Sequence, residues 1–138
     1  MAFDFGTQKM GMAVGNCFIE SINPLALFPM KDGIPQWEQL HKIIQQWQPQ
    51  LFLVGLPLNM DDSESELSLR ARKFARRLRH QTQVQTLMLD ERLSTRQARE
   101  KLKNLQAQGQ AKRVQADSLA ACIFLQHWYD DPTQAIMP

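Results

Sequence analysis

Cysteine is scarce in this chain. Cys17 and Cys122 lie far apart and form no CxxC pair, which excludes a disulfide scaffold and a dithiol redox motif. Two reduced, buried thiols are the expectation. Histidine is limited to His41, His80 and His127, none at zinc-site spacing from a cysteine, so zinc chemistry is not expected. No run approaches the roughly 18 consecutive apolar residues that a membrane-spanning helix requires. Asp4 and Gly6 interrupt the first apolar residues almost at once, unlike a signal peptide, and a cytoplasmic location with no membrane partner is expected.

What is present is an ordinary globular composition. The hydrophobic fraction is 43% over 138 residues, enough for one α/β core without metal or disulfide staples. No repeat or shift of composition marks a second domain. A single domain over residues 1–138 is expected, with 130–138 as a loose tail because of Pro132 and Pro138. The net charge of +2 conceals a split, −3 over residues 1–62 and +5 over 63–138. Six of the ten residues from Arg70 to Arg79 are basic, a local concentration that suits a polyanionic partner.

Hydrophobic periodicity predicts five strands. They lie at residues 3–5, about 10–16, 25–28, 51–54 and 84–89, the fourth all apolar as in a strand buried on both faces. Trp37, Leu40, Ile44 and Trp47 form one helical stripe that Pro49 stops, and Leu67, Ala71, Phe74 and Leu78 form a second. Ser94 with Gln97 fits a capping box for a third helix over Ala98, Leu102 and Leu105. A last helix runs from about Ala116 to Trp128. The order predicts an antiparallel meander extended by parallel strands through right-handed crossovers, a mixed five-stranded sheet flanked by helices.

Three acidic positions stand at element ends. Asp4 lies near the end of the first strand, Asp90-Glu91 closes the fifth, and Asp117 opens the last helix. Ligands of α/β sheets gather at the carboxyl ends of strands. Carboxylates brought together there repel unless a hard cation neutralises them, and Mg²⁺ or Mn²⁺ favours oxygen donors. Each acid also has a plainer reading: a turn former, a helix cap, or in Glu91 a surface acid paired with Arg92.

Four blocks add to this pattern: Ala-Phe-Asp-Phe-Gly-Thr at 2–7, Val-Gly-Leu-Pro-Leu-Asn at 54–59, Asp-Glu-Arg-Leu-Ser-Thr at 90–95 and Asp-Ser-Leu-Ala-Ala at 117–121. Together, and in this order, they resemble the YqgF-type family of Holliday-junction-resolvase-like proteins, candidate nucleases maturing the 5′ end of pre-16S ribosomal RNA. The resemblance spans essentially the whole chain. It implies a ribonuclease H-like fold, a hydrolase of ribosome biogenesis, and an acidic site at Asp4, Glu91 and Asp117, with Asp90 as a substitute or supporting acid. The family's first strand usually starts several residues before its Asp, so either the native chain begins earlier or an alternative Met heads a shortened first strand; both stay open.

The chemistry so implied is phosphodiester hydrolysis with two divalent ions about 4 Å apart. Asp4 would be shared between them, and the product ends would be 5′-phosphate and 3′-hydroxyl. Thr7 and Asn59 are candidate contacts to nucleic acid, each with a local turn as its alternative. Arg92 is a candidate phosphate clamp or else a partner of Asp90 or Glu91. Arg70, Lys73, Arg76 and Arg77 on the second helix, with Lys112 and Arg113 in a later basic loop, are expected to hold phosphates. An RNA precursor is the favoured substrate and branched DNA an alternative; the latter calls for a symmetric dimer, so monomer and homodimer both stay open. A non-catalytic nucleic-acid-binding factor is the competing class. An ATP-binding fold of the actin-kinase type, hinted at by Asp-Phe-Gly-Thr, needs two such domains and does not fit this length.

Overall fold

The computed structural model describes residues 1–93, 100, 104 and 118–138. The chain opens with β1 (Ala2–Asp4), turns at Gly6-Thr7 and returns as β2 (Lys9–Val14), antiparallel to it. β3 (Asn23–Pro24) and β4 (Phe28–Lys31) both pair with β2, and β5 (Ile34–Pro35) folds back on β4. Then come α1 (Trp37–Trp47), β6 (Leu51–Leu56), α2 (Glu66–Thr82) and β7 (Gln85–Asp90). A single 3-10 turn, Glu91–Leu93, follows, and the C-terminal helix α3 covers Leu119–Asp130.

β6 lies parallel to β1 and β7 parallel to β6, giving the order β5-β4-β2-β1-β6-β7 with β3 beside β2. The expected mixed sheet with helices on both sides is present. Its five strands become seven among the described residues, because β3 and β5 are two-residue pairings too short to leave a periodic signal. The third strand is displaced from 25–28 to Phe28–Lys31: Pro29 lies inside it, opposite Lys9, instead of ending it.

Alternation sorts the side chains to two faces. Phe3, Met10, Met12, Phe52, Val54 and Met88 face α1 and α2, where they meet Leu40, Ile44, Ala71, Phe74 and Leu78. Ala2, Ala13, Leu53 and Leu89 face α3 and its Ala121, Cys122, Phe124 and Leu125. Phe74 anchors the first core, edge-on to Phe3 at 5.7 Å and stacked with Trp37 at 5.9 Å between ring centroids. Burying each such large side chain contributes about 1.5–3 kcal/mol.

Several expectations are corrected. Leu67 is 38% exposed, and the buried position one residue on is Ser68 at 0%. A polar side chain is tolerated there because Ser68 shares a capping box with Ser65 and donates its hydroxyl to the Pro57 carbonyl. Trp47, on the last turn of α1, is 43% exposed. Cys17 is exposed, and only Cys122 is a buried thiol, its pKa pushed up to about 12 by burial. The tail is not loose: Ile136 and Met88 exchange backbone hydrogen bonds at 2.9 and 2.7 Å, and Arg72 donates to the Met137 carbonyl at 3.2 Å. Among the described residues no helix is long and apolar enough to cross a membrane. Ser94, Gln97, Ala98, Leu102 and Leu105 of the expected third helix lie outside the described residues.

Candidate active site

The parity of three neighbouring strands assembles the site. Phe3 pairs with Val54 and Gly55 with Leu89, so Asp4, Gly55 and Leu89 fall at one level of the sheet. All three point to the α3 side, since Phe3, Val54 and Met88 point to the other. β6 separates β1 from β7, so an acid at the end of β1 must reach another past β7 by crossing over β6. Gly55 opens that path. A Cβ at this position would stand 2.8 Å from Glu91 Oε1 and 2.5 Å from a ring carbon of Phe124. With no side chain, β6 passes beneath both groups.

Across this bare patch Asp4 and Glu91 are hydrogen-bonded to each other, both largely removed from water. Burial raises the Asp4 pKa, partly countered by the bond from Glu91. Burial, then the charge of Asp4, then the bond between them and the charge of Asp90, push Glu91 up to about 7. One proton shared by two carboxyls is the arrangement that like charges adopt when they cannot both ionise. The donors are hard oxygens at the end of a sheet, and a divalent cation would replace the shared proton; the pair therefore fits the implied Mg²⁺ or Mn²⁺. Among the described residues no group of three or more His, Cys, Asp or Glu is placed to hold a metal ion. Asp117, the third acid expected, lies outside the described residues, as do Lys112 and Arg113.

The pair makes a prediction for stability. A carboxyl whose folded pKa is raised binds its proton more tightly when folded, so its stabilisation is complete below its ordinary value of 4.5 and is lost as the pH climbs through about 7. In chelator-containing buffer, urea unfolding of the wild type should therefore show falling stability between those limits. E91Q should flatten the decline and be the more stable protein at pH 8, by on the order of 1–2 kcal/mol after allowance for partial solvent screening. Parallel profiles for the two proteins would mean that the two carboxyls do not share a proton.

Asp90 points to the opposite face and acts on the pair only through its charge. Arg92 donates to Asp90 from its backbone N–H at 2.9 Å and from Nε and Nη2 at 2.8–3.2 Å. These bonds, before any other cause, hold the Asp90 carboxyl below the usual carboxylate range. Nη2 also reaches Asp62 at 2.7 Å, and Nη1 reaches the Asn59 carbonyl at 2.8 Å. Of the partners considered for Arg92, the structure selects Asp90 and not Glu91. Asn59 serves its own turn, donating from Nδ2 to Ser63 Oγ at 2.9 Å and from its backbone to the Ser63 carbonyl.

The basic residues divide. Arg70 is half-buried and donates to the carbonyl and carboxylate of Asp32, while Arg72 is bound to Glu64. Asp32 lies in the β4–β5 turn, whose Gly33 N–H donates to the Thr7 carbonyl at 2.8 Å. Thr7 thus meets the neighbouring hairpin through its backbone. Lys73, Arg76 and Arg77 are exposed, on the arc of α2 opposite Ala71, Phe74, Ala75 and Leu78. Sequence reasoning offers Asp90 as a partner of Arg92 but misses Asn59 and Asp62, and it misses the bracing of Arg70 and Gly55 as the floor of the site. A glycine inside an otherwise apolar strand is the signal that could have found the last.

Comparison with known proteins shows what the chain as a whole is similar to. A protein of Acinetobacter baylyi described as a candidate pre-16S rRNA nuclease is 68% identical over 138 residues, covering all of this chain and 93% of that protein. One of the same description from Haemophilus ducreyi is 43% identical over 131 residues, 95% of each chain. The solved structure of Thermus thermophilus RuvC in complex with a Holliday junction substrate superposes with a TM-score of 0.61 at 13% identity, covering 97% of this chain and 95% of that one, a likeness of fold. The family model described as RuvX, Holliday junction resolvase, matches residues 1–131, and the chain belongs to that family.

Proposed function

We propose that this protein is a divalent-cation-dependent endonuclease that processes the 5′ end of pre-16S ribosomal RNA. The observation that carries the reading is the Asp4–Glu91 pair, two largely buried carboxyls brought together over Gly55 at the carboxyl end of the sheet. Support for the substrate comes from relatives 43–68% identical that are described as candidate pre-16S rRNA nucleases. A bound Mg²⁺ or Mn²⁺ would supply water activation and stabilise charge on the leaving oxygen. Asp4 at the end of β1 and Glu91 in the turn after β7 would hold it, and Asp117 would complete the set, an assignment that rests on its sequence block. The core beneath them fixes both carboxyls, so little reorganisation is needed when the phosphodiester arrives.

Lys73, Arg76 and Arg77 would hold the backbone of the RNA without reading its bases. Arg76 lies ten residues into α2, about 15 Å along the helix from its start. The double variant R76A/R77A should weaken binding of RNA and DNA alike. It should also reduce the slope of log affinity against log salt by roughly 0.7–0.9 for each phosphate no longer neutralised. Stabilisation by Mg²⁺ should be unchanged. Wild-type affinity and slope in that variant would make the helix face a solvated surface and place the substrate path elsewhere.

Cleavage of matched RNA-precursor, single-stranded and four-way-junction DNA panels, with Mg²⁺ or Mn²⁺ and with D4N as control, tests the function. Cleavage confined to the precursor supports the proposal. Symmetric cutting of the junction by a dimer would favour the resolvase chemistry named in the family description. Binding with no D4N-sensitive cleavage would identify a non-catalytic factor.

A further inference from the structure

Arg92 lies next to Glu91 in a basic protein expected to bind nucleic acid, and its charge alone suggests a hand for phosphate. Its bonds suggest otherwise. Each of its three side-chain nitrogens is directed at an acceptor of the protein, and those acceptors belong to two separate segments. Asp90 ends β7, whereas Asn59 and Asp62 lie in the turn between β6 and α2, about thirty residues earlier in the chain.

That turn is itself tightly made. Leu58 and Glu64 pair across it, Asn59 N–H donates to the Ser63 carbonyl, and Asp62 N–H donates to the Asn59 carbonyl. Asp62 adopts a left-handed φ of 68°, a conformation that Asp tolerates better than most residues, and directs its carboxylate at Nη2. Arg92 is thus a rivet between the turn after β6 and the end of β7. Glu91 lies between the two residues that form the rivet, Asp90 and Arg92, with its own carboxyl on the opposite face toward Asp4. Fixing its two neighbours to an external anchor leaves its backbone little freedom to swing the carboxyl off the patch over Gly55.

We propose that Arg92 is a positioning residue of the acid site, fixing the β6–α2 turn to the end of β7 so that Glu91 is held facing Asp4, and that it does not grip substrate phosphate. The inference rests on the nuclease reading for its effect on catalysis, but the bracing itself is measurable without any activity.

The test compares wild type with R92K and R92Q, with D4N as a control for the reaction. Amide hydrogen exchange at Asn59 and Asp62 reads the turn, cleavage of the RNA precursor reads Glu91, and the salt dependence of binding a labelled single-stranded RNA reads phosphate contacts. Lysine keeps the charge but lacks the planar fork that serves three acceptors at once. Both variants should exchange these amides roughly 10-fold faster or more. Their kcat should fall by roughly 10- to 100-fold, as expected of a small misplacement of a reacting group, while KM stays within about twofold and the salt slope keeps its wild-type value. Near-wild-type cleavage by R92K, or a slope reduced by roughly 0.7–0.9 in R92Q with unchanged exchange, would overturn the proposal in favour of a phosphate clamp. Unchanged exchange, kcat and slope in both variants would overturn it outright. If D4N cleaves like wild type, the nuclease reading fails, and the exchange data alone still decide whether Arg92 braces the turn.

Discussion

Replacing Asp4 with Asn is expected to reduce metal-dependent cleavage by about 10³-fold, with binding of the nucleic acid largely kept. The amide is nearly the same size and can still meet Glu91, so the fold has no reason to change. What is lost is a negative oxygen on the strand that the rest of the site is built around. A cation at such a centre is worth several kcal/mol of transition-state stabilisation, and losing about 4 kcal/mol of it corresponds to that factor. Single-turnover cleavage of the RNA precursor by wild type and D4N, with binding followed separately by anisotropy, measures it. A D4N protein of undiminished rate would mean that the cleavage comes from another site or another protein.

Gly55→Ala is expected to damage both stability and cleavage, although it adds one methyl group. The new Cβ would lie 2.5 and 2.6 Å from two ring carbons of Phe124 and 2.8 Å from Glu91 Oε1, so at least one neighbour must shift. Phe124 is buried in the core beneath α3 and has little room to retreat. Overpacking of that kind costs about 1–3 kcal/mol. Glu91 is the easier group to displace, and its movement breaks the pair with Asp4. The measurable signature is a lowered urea midpoint together with cleavage reduced by roughly 10²-fold. A G55A protein with wild-type midpoint and wild-type rate would show that Glu91 does not work from above this glycine.

The strands that carry the site are legible because their signals are local. Leu51 to Val54 is an unbroken apolar run, and the structure buries β6 on both faces. The acids at the ends of β1 and β7 are visible for the same reason. Their meeting is legible only through the resemblance of the four blocks and not from spacing, because it depends on β6 lying between those strands and on the parity of Gly55. Arginine partners are hidden in a similar way. Asp32 is 38 residues from Arg70 and Asp62 is 30 from Arg92, so no i,i+4 rule can find them. The periodic stripe of α2 falls one residue out of phase at Leu67, since a buried Ser is credible only once its acceptor, the Pro57 carbonyl, is known. The prolines near the tail suggest looseness, yet a single pair of backbone bonds to Met88 is enough to hold it.

That last contact has a consequence for how the molecule behaves among its own copies. Among the described residues β7 is the terminal strand of the sheet on its side, and half of its six residues, Thr86, Met88 and Leu89, are buried. An open rim of this kind offers N–H and C=O groups on which another extended chain can grow. Ile136 occupies the middle of that rim, taking both the donor and the acceptor of Met88. Ile136 thus covers the middle of this rim with two backbone bonds, leaving fewer free N–H and C=O groups there for another extended chain to pair with.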